Sequence, residues 1–225
     1  MKKKYVACSI LLVLAMAMTA CSAKEDKVNA DVQQESEENV DVEDTSESTE
    51  LVADPTVPEE VKNYKAPEEI GDNFFDYNFK LEGNMYTFPC PVSEFVKNGF
   101  EIDEDKSDMV IAGEDNGSLV MYYNGQEYTC LVYNTADYAT IIENCWVGTV
   151  TANSSYSAFD LEIVKGIKVG MTGDELQSKL TGVDYTIEDE EYYVIENPSN
   201  PYDRGYEIAV YDNVIARIVI DMFIQ

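Results

Sequence analysis

Two long stretches in the second half of the chain alternate apolar and polar residues. "SLVMYYNGQEYTCLVYN" runs from Ser118 and "YEIAVYDNVIARIVIDM" from Tyr206. A period of two suits a strand with one buried face, because successive side chains point to opposite sides. Each stretch is broken once, at Asn124-Gly125 and at Asp212-Asn213, pairs that accept the positive φ of a two-residue hairpin turn. The pattern predicts two β-hairpins. In "KGIKVGMTGDELQSKLTG", Lys165 to Gly182, the period changes. Thr172 offers an N-cap with Glu175 three residues on, and Leu176 and Leu180 stand one turn apart on the same side. Gly182 suits the left-handed residue that ends a helix. The stretch reads as a short strand, a turn and a capped helix: a building block, with Gln177 and Lys179 dispensable on its polar side. A shorter helix is predicted with Ser93 as its cap, Phe95 and Val96 as its apolar residues and Gly99 at its end. "ENCWVGTVTA" alternates as one more strand, completing the first sheet.

The elements recur. Phe79, Leu81 and Glu82 match Phe159, Leu161 and Glu162 at an offset of 80, and Tyr86 and Phe88 match Ile167 and Val169 at 81. Gly99 matches Gly182 at 83, and the hairpins align at 88. A drift in offset with a constant order of elements is what small loop insertions in a duplicated unit produce. The expected fold is therefore α+β: two tandem copies, residues 73–152 and 153–225, of a small antiparallel sheet packed by a short helix.

Alternation also sorts the hairpins by face. Ile208 and Val210 share a side with Ala216, Ile218 and Ile220, which align with Val120, Tyr122, Tyr128, Cys130 and Val132. Keeping both strands of a hairpin in this phase requires a bulge or an odd loop at each turn. The opposite face carries Leu119, Met121, Tyr123, Leu131 and Tyr133 in one copy, and Ala209, Tyr211, Ile215 and Val219 in the other. A solvated face is normally more polar. Either the two sheets cover each other there or the face receives a partner, and Leu119, Met121, Tyr123, Leu131, Tyr133, Tyr211 and Ile215 are the candidate partner-binding residues.

Composition changes abruptly towards the N-terminus. Lys2, Lys3 and Lys4 precede a short apolar run, Val6 to Met18, and then "MTAC". This resembles a bacterial lipoprotein signal spanning residues 1–21, in which Cys21 is lipidated and becomes the mature N-terminus. Two acyl chains suffice for stable anchoring, so the expected location is the extracytoplasmic side of the cell membrane, held by the lipid alone. Residues 22–72 carry 17 Asp and Glu against 4 Lys. With little to pack, they are expected to form a disordered acidic linker.

The net formal charge of the whole chain is −29. Such a field excludes nucleic-acid binding and favours cationic partners or solubility alone, and the expected partner is another envelope or extracellular protein. Cys90, Cys130 and Cys145 are spaced as neither a disulfide framework nor a zinc motif. They read as buried thiols, with a single bridge as the alternative that an exported protein allows.

"VGMTGDELQSKLTG" resembles the helix signature of small envelope lipoproteins of the BamE type, over residues 169–182. The layout of about 80 residues per copy is similar to the beta-lactamase inhibitor protein fold. Both resemblances imply a helix against a small antiparallel sheet and action by binding other proteins. The first copy has "PCPVSEF" in place of "GMTGDEL", and no residue match carries over the inhibitory contacts of such proteins.

The chain has no histidine, which removes the commonest general base and zinc ligand. No catalytic residue and no cofactor are expected. Asp103, Asp105 and Glu114 fall at spacings of a calcium loop, a weak candidate because Asp108 replaces its glycine. The expected function is a membrane-anchored protein-binding or envelope-interaction module. The alternatives are a receptor for a small ligand or envelope polymer in an aromatic groove between the copies, and a carboxylate-dependent hydrolase.

Overall fold

The computed structural model describes residues 51–155 and 158–224. The signal segment, Cys21 and the linker up to residue 50 lie outside the described residues. In chain order the elements are α1 (Glu59–Asn63), β1 (Asn78–Leu81), β2 (Asn84–Thr87), β3 (Cys90–Pro91), α2 (Val92–Lys97), β4 (Glu101–Ile102) and β5 (Val110–Ile111). The first long hairpin, β6 (Asn116–Tyr123) and β7 (Gln126–Tyr133), is followed by β8 (Thr140–Ile141), β9 (Trp146–Val147) and β10 (Thr149–Asn153). Then come β11 (Leu161–Ile163), β12 (Ile167–Lys168), α3 (Gly173–Lys179), β13 (Thr186–Glu188), β14 (Tyr192–Ile195) and the second long hairpin, β15 (Gly205–Tyr211) and β16 (Val214–Asp221). This is an α+β fold, mostly antiparallel sheet with a few short helices.

The strands make three main sheets. The first has the order β3-β9-β7-β6-β4 and the second β10-β16-β15-β14-β13. A third, β12-β11-β1-β2, joins the leading strands of both halves, with Leu81 opposite Leu161. Two tandem copies would each hold their leading strand in their own sheet; instead the two strands pair with each other. The minor pair β5-β8 closes the list. One contiguous core lies between the elements, aromatic in the first half and largely aliphatic in the second. Phe95 stacks on Tyr86 at 4.7 Å and lies edge-on to Phe100 at 5.5 Å. Around α3 the buried residues are Leu176, Leu180, Ile208, Ile218 and Ile220.

The two helices fold for different local reasons. Thr172 accepts from the Glu175 amide at 3.2 Å while the Glu175 carboxylate accepts from the Thr172 amide at 2.9 Å, the expected capping box. Gly182 has the expected positive φ, +78°. The α3 polar side is less idle than its sequence suggested. Lys179 donates to the Lys165 carbonyl at 2.6 Å and Lys165 to the Lys179 carbonyl at 2.8 Å, so the two ends of the stretch clasp each other. Gln177 donates to the Tyr193 hydroxyl at 2.9 Å. In α2, by contrast, Ser93 is no cap: the helix starts two residues earlier than that cap implies, behind Pro91, with no side-chain cap. Proline's fixed φ serves that entry instead. Phe95 is buried as expected, but Val96 faces solvent and Val92 takes the core position.

Two boundaries move. The expected linker ran to residue 72, yet the described chain is already packed at Asp54, which bridges Thr140, and at Val61, which is buried. Asn144 donates to the Thr56 carbonyl at 3.2 Å, and Tyr64 and Thr87 bond each other. "ENCWVGTVTA" divides at Gly148 into β9 in the first sheet and β10 in the second. Only glycine fits the joint, since a Cβ there would lie 2.5 Å from the Met222 carbonyl oxygen. Tyr77 and Tyr206 then tie the halves together. The Tyr77 hydroxyl donates to the buried Asp203 carboxylate at 2.6 Å, and the Tyr206 hydroxyl to the Phe74 carbonyl at 2.7 Å. Among the described residues no helix is long and apolar enough to cross a membrane.

Candidate functional site

The hairpin registers decide which side chains reach solvent. In the first hairpin Tyr123 pairs Gln126 across the two-residue turn, and the pairing stays in step to Asn116 and Tyr133. No bulge intervenes, so the two strands are out of the phase that sequence alignment had given them. Leu119 and Met121 are fully buried on the inner side with Tyr128 and Val132, and Tyr123 packs on Phe100 at 4.8 Å. Leu131 and Tyr133 lie on the other side, Leu131 about half exposed at 49%. In the second hairpin the expected bulge is present, between Ala209 and Val210. It turns Ile215 into the core and leaves Tyr211 exposed, its hydroxyl 2.7 Å from that of Tyr192. The seven candidate partner residues therefore do not form one face. Leu119, Met121, Tyr123 and Ile215 belong to the core; Leu131, Tyr133 and Tyr211 face outward.

The true outer faces follow from the pairing. On the first sheet one row runs Asn116, Tyr133, Trp146 and ends on Pro91, which is buried. On the second a row runs Thr151, Val219, Glu207, Val194, Thr186. Val147 and Val150, on either side of the Gly148 joint, are both fully buried in the common core. Burial raises the pKa of Tyr133, and the nearby Asp221 carboxylate of the other sheet adds to it.

Over the second sheet this surface deepens into a cleft of about 620 Å³. Its floor includes Val194, Glu207, Val219 and Asp221, and its walls are the 196–204 loop and the segment from Asp184 to Glu188. Asp203 is fixed at the base by Tyr77, by Asn197 at 3.0 Å and by the Gly205 amide at 3.3 Å. Glu207 forms an ion pair with Arg217, whose guanidinium also lies over the Tyr192 ring. Asp184, Glu188 and Glu196 are exposed and have no cationic partner within ion-pair distance among the described residues. The one cation in the lining is Arg204. Such an arrangement attracts and holds positive charge.

Beside the cleft, at the sheet joint, lies an apolar notch of about 300 Å³ lined by Pro89, Thr135, Trp146, Met222, Phe223 and Ile224. Phe223 of the notch lining, 43% exposed, packs against Tyr202, 70% exposed and flanked in the chain by Pro201 and Asp203 of the cleft lining, with ring centroids 5.9 Å apart. Neither the alternation nor the repeat singles out Asp184 to Gly205. Its density of acids and the Pro198 and Pro201 turns were the available signals; which side of the sheet they reach was not.

The calcium-loop spacing has another cause. Asp103 accepts from the Asp105 amide at 3.2 Å and pairs with Lys106 at 3.3 Å. The loop then runs along the edge of β6, where Ser107 and Asp108 bond the backbone of Val120 and Ser118. Glu114 sits in a separate turn, its amide donating to the Ala136 carbonyl. Among the described residues no group of three or more acidic or cysteine side chains is placed to hold a metal ion. Cys90, Cys130 and Cys145 are free thiols on the inner side, the first and last buried and Cys130 partly so. Burial pushes the thiols of Cys130 and Cys145 up to about 12 and raises that of Cys90 as well, which makes all three poor nucleophiles. No family model, curated protein or solved structure matches the chain.

Proposed function

We propose that the mature chain is a lipid-anchored protein on the extracytoplasmic side of the cell membrane, and that it binds another protein through the outer faces of its two sheets. The observation that carries this reading is the notch at the β9–β10 joint, where Trp146 of the first sheet and Met222, next in the chain to Asp221 of the cleft, line one hollow. Exposed aromatic side chains beside unpaired carboxylates are the composition of a recognition surface, in which rigid rings supply contact area and charge supplies orientation. The resemblance of residues 169–182 to BamE-type lipoproteins agrees with it. So does the lysine-rich start followed by an apolar run and "MTAC".

The tandem-copy reading belongs to the same proposal. Its support is the pairing of Leu81 with Leu161, each beside a short neighbouring strand, and a helix and long hairpin that follow in both halves. The neighbours of the hairpins differ, because β9 follows the first hairpin in the chain and β10 precedes the second.

The cleft favours a second reading, a receptor for a small cationic ligand, because 620 Å³ falls within the range of small-molecule sites. The anchoring is tested by Cys21→Ala, which moves the protein from the membrane fraction into the medium or periplasm; retention in the membrane contradicts it. Binding is tested by cross-linking in the source cell: a covalent protein adduct on the outer face supports the first reading, whereas an unmodified chain supports the second.

A further inference from the structure

We infer that the apolar notch and the adjoining cleft form one docking surface for a basic segment of a partner protein, with an apolar side chain of that segment entering the notch and its lysine or arginine side chains the cleft. The inference deepens the protein-binding reading and rests on it. The two hollows are joined through the chain itself: Asp221 lines the cleft, and the next three residues, Met222 to Ile224, line the notch. The exposed rings of Tyr202, next in the chain to Asp203 of the cleft, and of Phe223 in the notch pack on each other and link the two hollows a second time.

Charge selects the occupant. From Asp184 to Asp221 the chain carries ten carboxylates against Arg204 and Arg217, and Arg217 is already engaged by Glu207. A second copy of this chain brings the same sign to the surface and is repelled. The chain's own preceding segment, with 11 acids against 2 lysines over residues 22–50, is repelled as well. A basic segment is attracted at long range and loses little by desolvation, since Asp184, Glu188 and Glu196 remain at the exposed rim. The notch then supplies what charge alone lacks: an apolar contact that fixes position, beside the chain's single tryptophan.

The test uses the full mature chain in detergent and a synthetic dodecapeptide of alternating lysine and leucine, with alternating glutamate and leucine as control. Trp146 emission and the Kd are read at about 0.15 M salt, where the Debye length is about 8 Å. The lysine peptide is expected to shift the emission and the glutamate peptide to leave it unchanged. Combining Asp184→Asn, Glu188→Gln and Glu196→Gln is expected to weaken the lysine peptide about tenfold, as three rim charges together can. Removing the same number of charges elsewhere, with Glu104→Gln, Asp105→Asn and Glu114→Gln, leaves the Kd within about twofold, because charges beyond a Debye length contribute little. Phe223→Ser abolishes the emission shift. Equal weakening by both triple variants means that the peptide senses net charge alone and overturns the docking surface, as does binding without any emission shift. If a protein is cross-linked to the outer face in cells while the peptide ignores the cleft variants, this assignment fails and the protein-binding reading stands. Peptide binding at the cleft with no cross-linked protein keeps the surface and removes that reading.

Discussion

On the first sheet the outward row through β7 ends on Tyr133, Trp146 and Pro91, while on the second the rows through β16 carry Asp221, Val219 and Glu207. The inner sides differ too, with stacked aromatics under one hairpin and branched aliphatics under the other. Yet β6–β7 and β15–β16 are both antiparallel hairpins closed by a two-residue turn, and a short helix precedes each in the chain. The contrast shows how little the pairing depends on outward chemistry. Backbone ladders and inner packing hold the sheets, so the outer faces are free to carry recognition, apolar at one end and acidic at the other.

The difference in cores predicts the largest effect. Phe95 contacts Tyr86, Phe100 and Tyr128, so its ring supports the whole aromatic cluster. Phe95→Ala is expected to cost about 3–5 kcal/mol, at or above the ~2–5 kcal/mol of Leu176→Ala in the aliphatic half. Denaturant titration of both variants measures it; a clearly larger loss for Leu176→Ala reverses the ranking of the two cores. Next in size is the tie between the halves. Tyr77→Phe removes a donor from the buried Asp203 carboxylate, and about 1–3 kcal/mol should be lost. A loss under a few tenths shows that the halves do not depend on this bond.

The helices give a smaller and more pointed contrast. Thr172→Ala removes a cap and costs about 0.5–2 kcal/mol, whereas Ser93→Ala stays within about 0.5 because Ser93 caps nothing. Equal costs contradict the assignment. The Thr172 amide, and after it the Thr172 hydroxyl, hold the Glu175 carboxyl below its usual pKa. A depressed folded-state pKa gives a contribution present above the ordinary carboxylate pKa and lost as pH falls through the depressed value. The Tm gap between wild type and Glu175→Gln should therefore close on acidification. A gap that is constant with pH shows that the charge is not involved.

These contrasts also mark what was legible in the sequence. The capping box, Leu176 and Leu180, and both hairpin turns were readable because each depends on neighbours within a few residues. The orientation of the first hairpin was not. One unbulged turn puts Leu119 and Met121 inside, and a bulge is a single extra residue that alternation cannot locate. The joint pairing of Leu81 with Leu161 was equally hidden, since a strand's period does not name its partner. The cleft was missed for a further reason. Asp184, Glu188 and Glu196 look like solvated charges until β13, β14 and the loop after β14 bring them around one hollow.

The central claim is that recognition takes place on the outer sheet face, and a photo-reactive residue distinguishes that face from the helical side. Leu131 on the outer face and Val96 on α2 are exposed to similar degrees, 49% and 40%. Replacing each in turn by a photo-cross-linking phenylalanine analogue, and illuminating intact source cells, reads which side touches a protein. A discrete adduct from position 131 and none from position 96 is the predicted result. An adduct from position 96 alone contradicts the account and moves the binding surface to the helices.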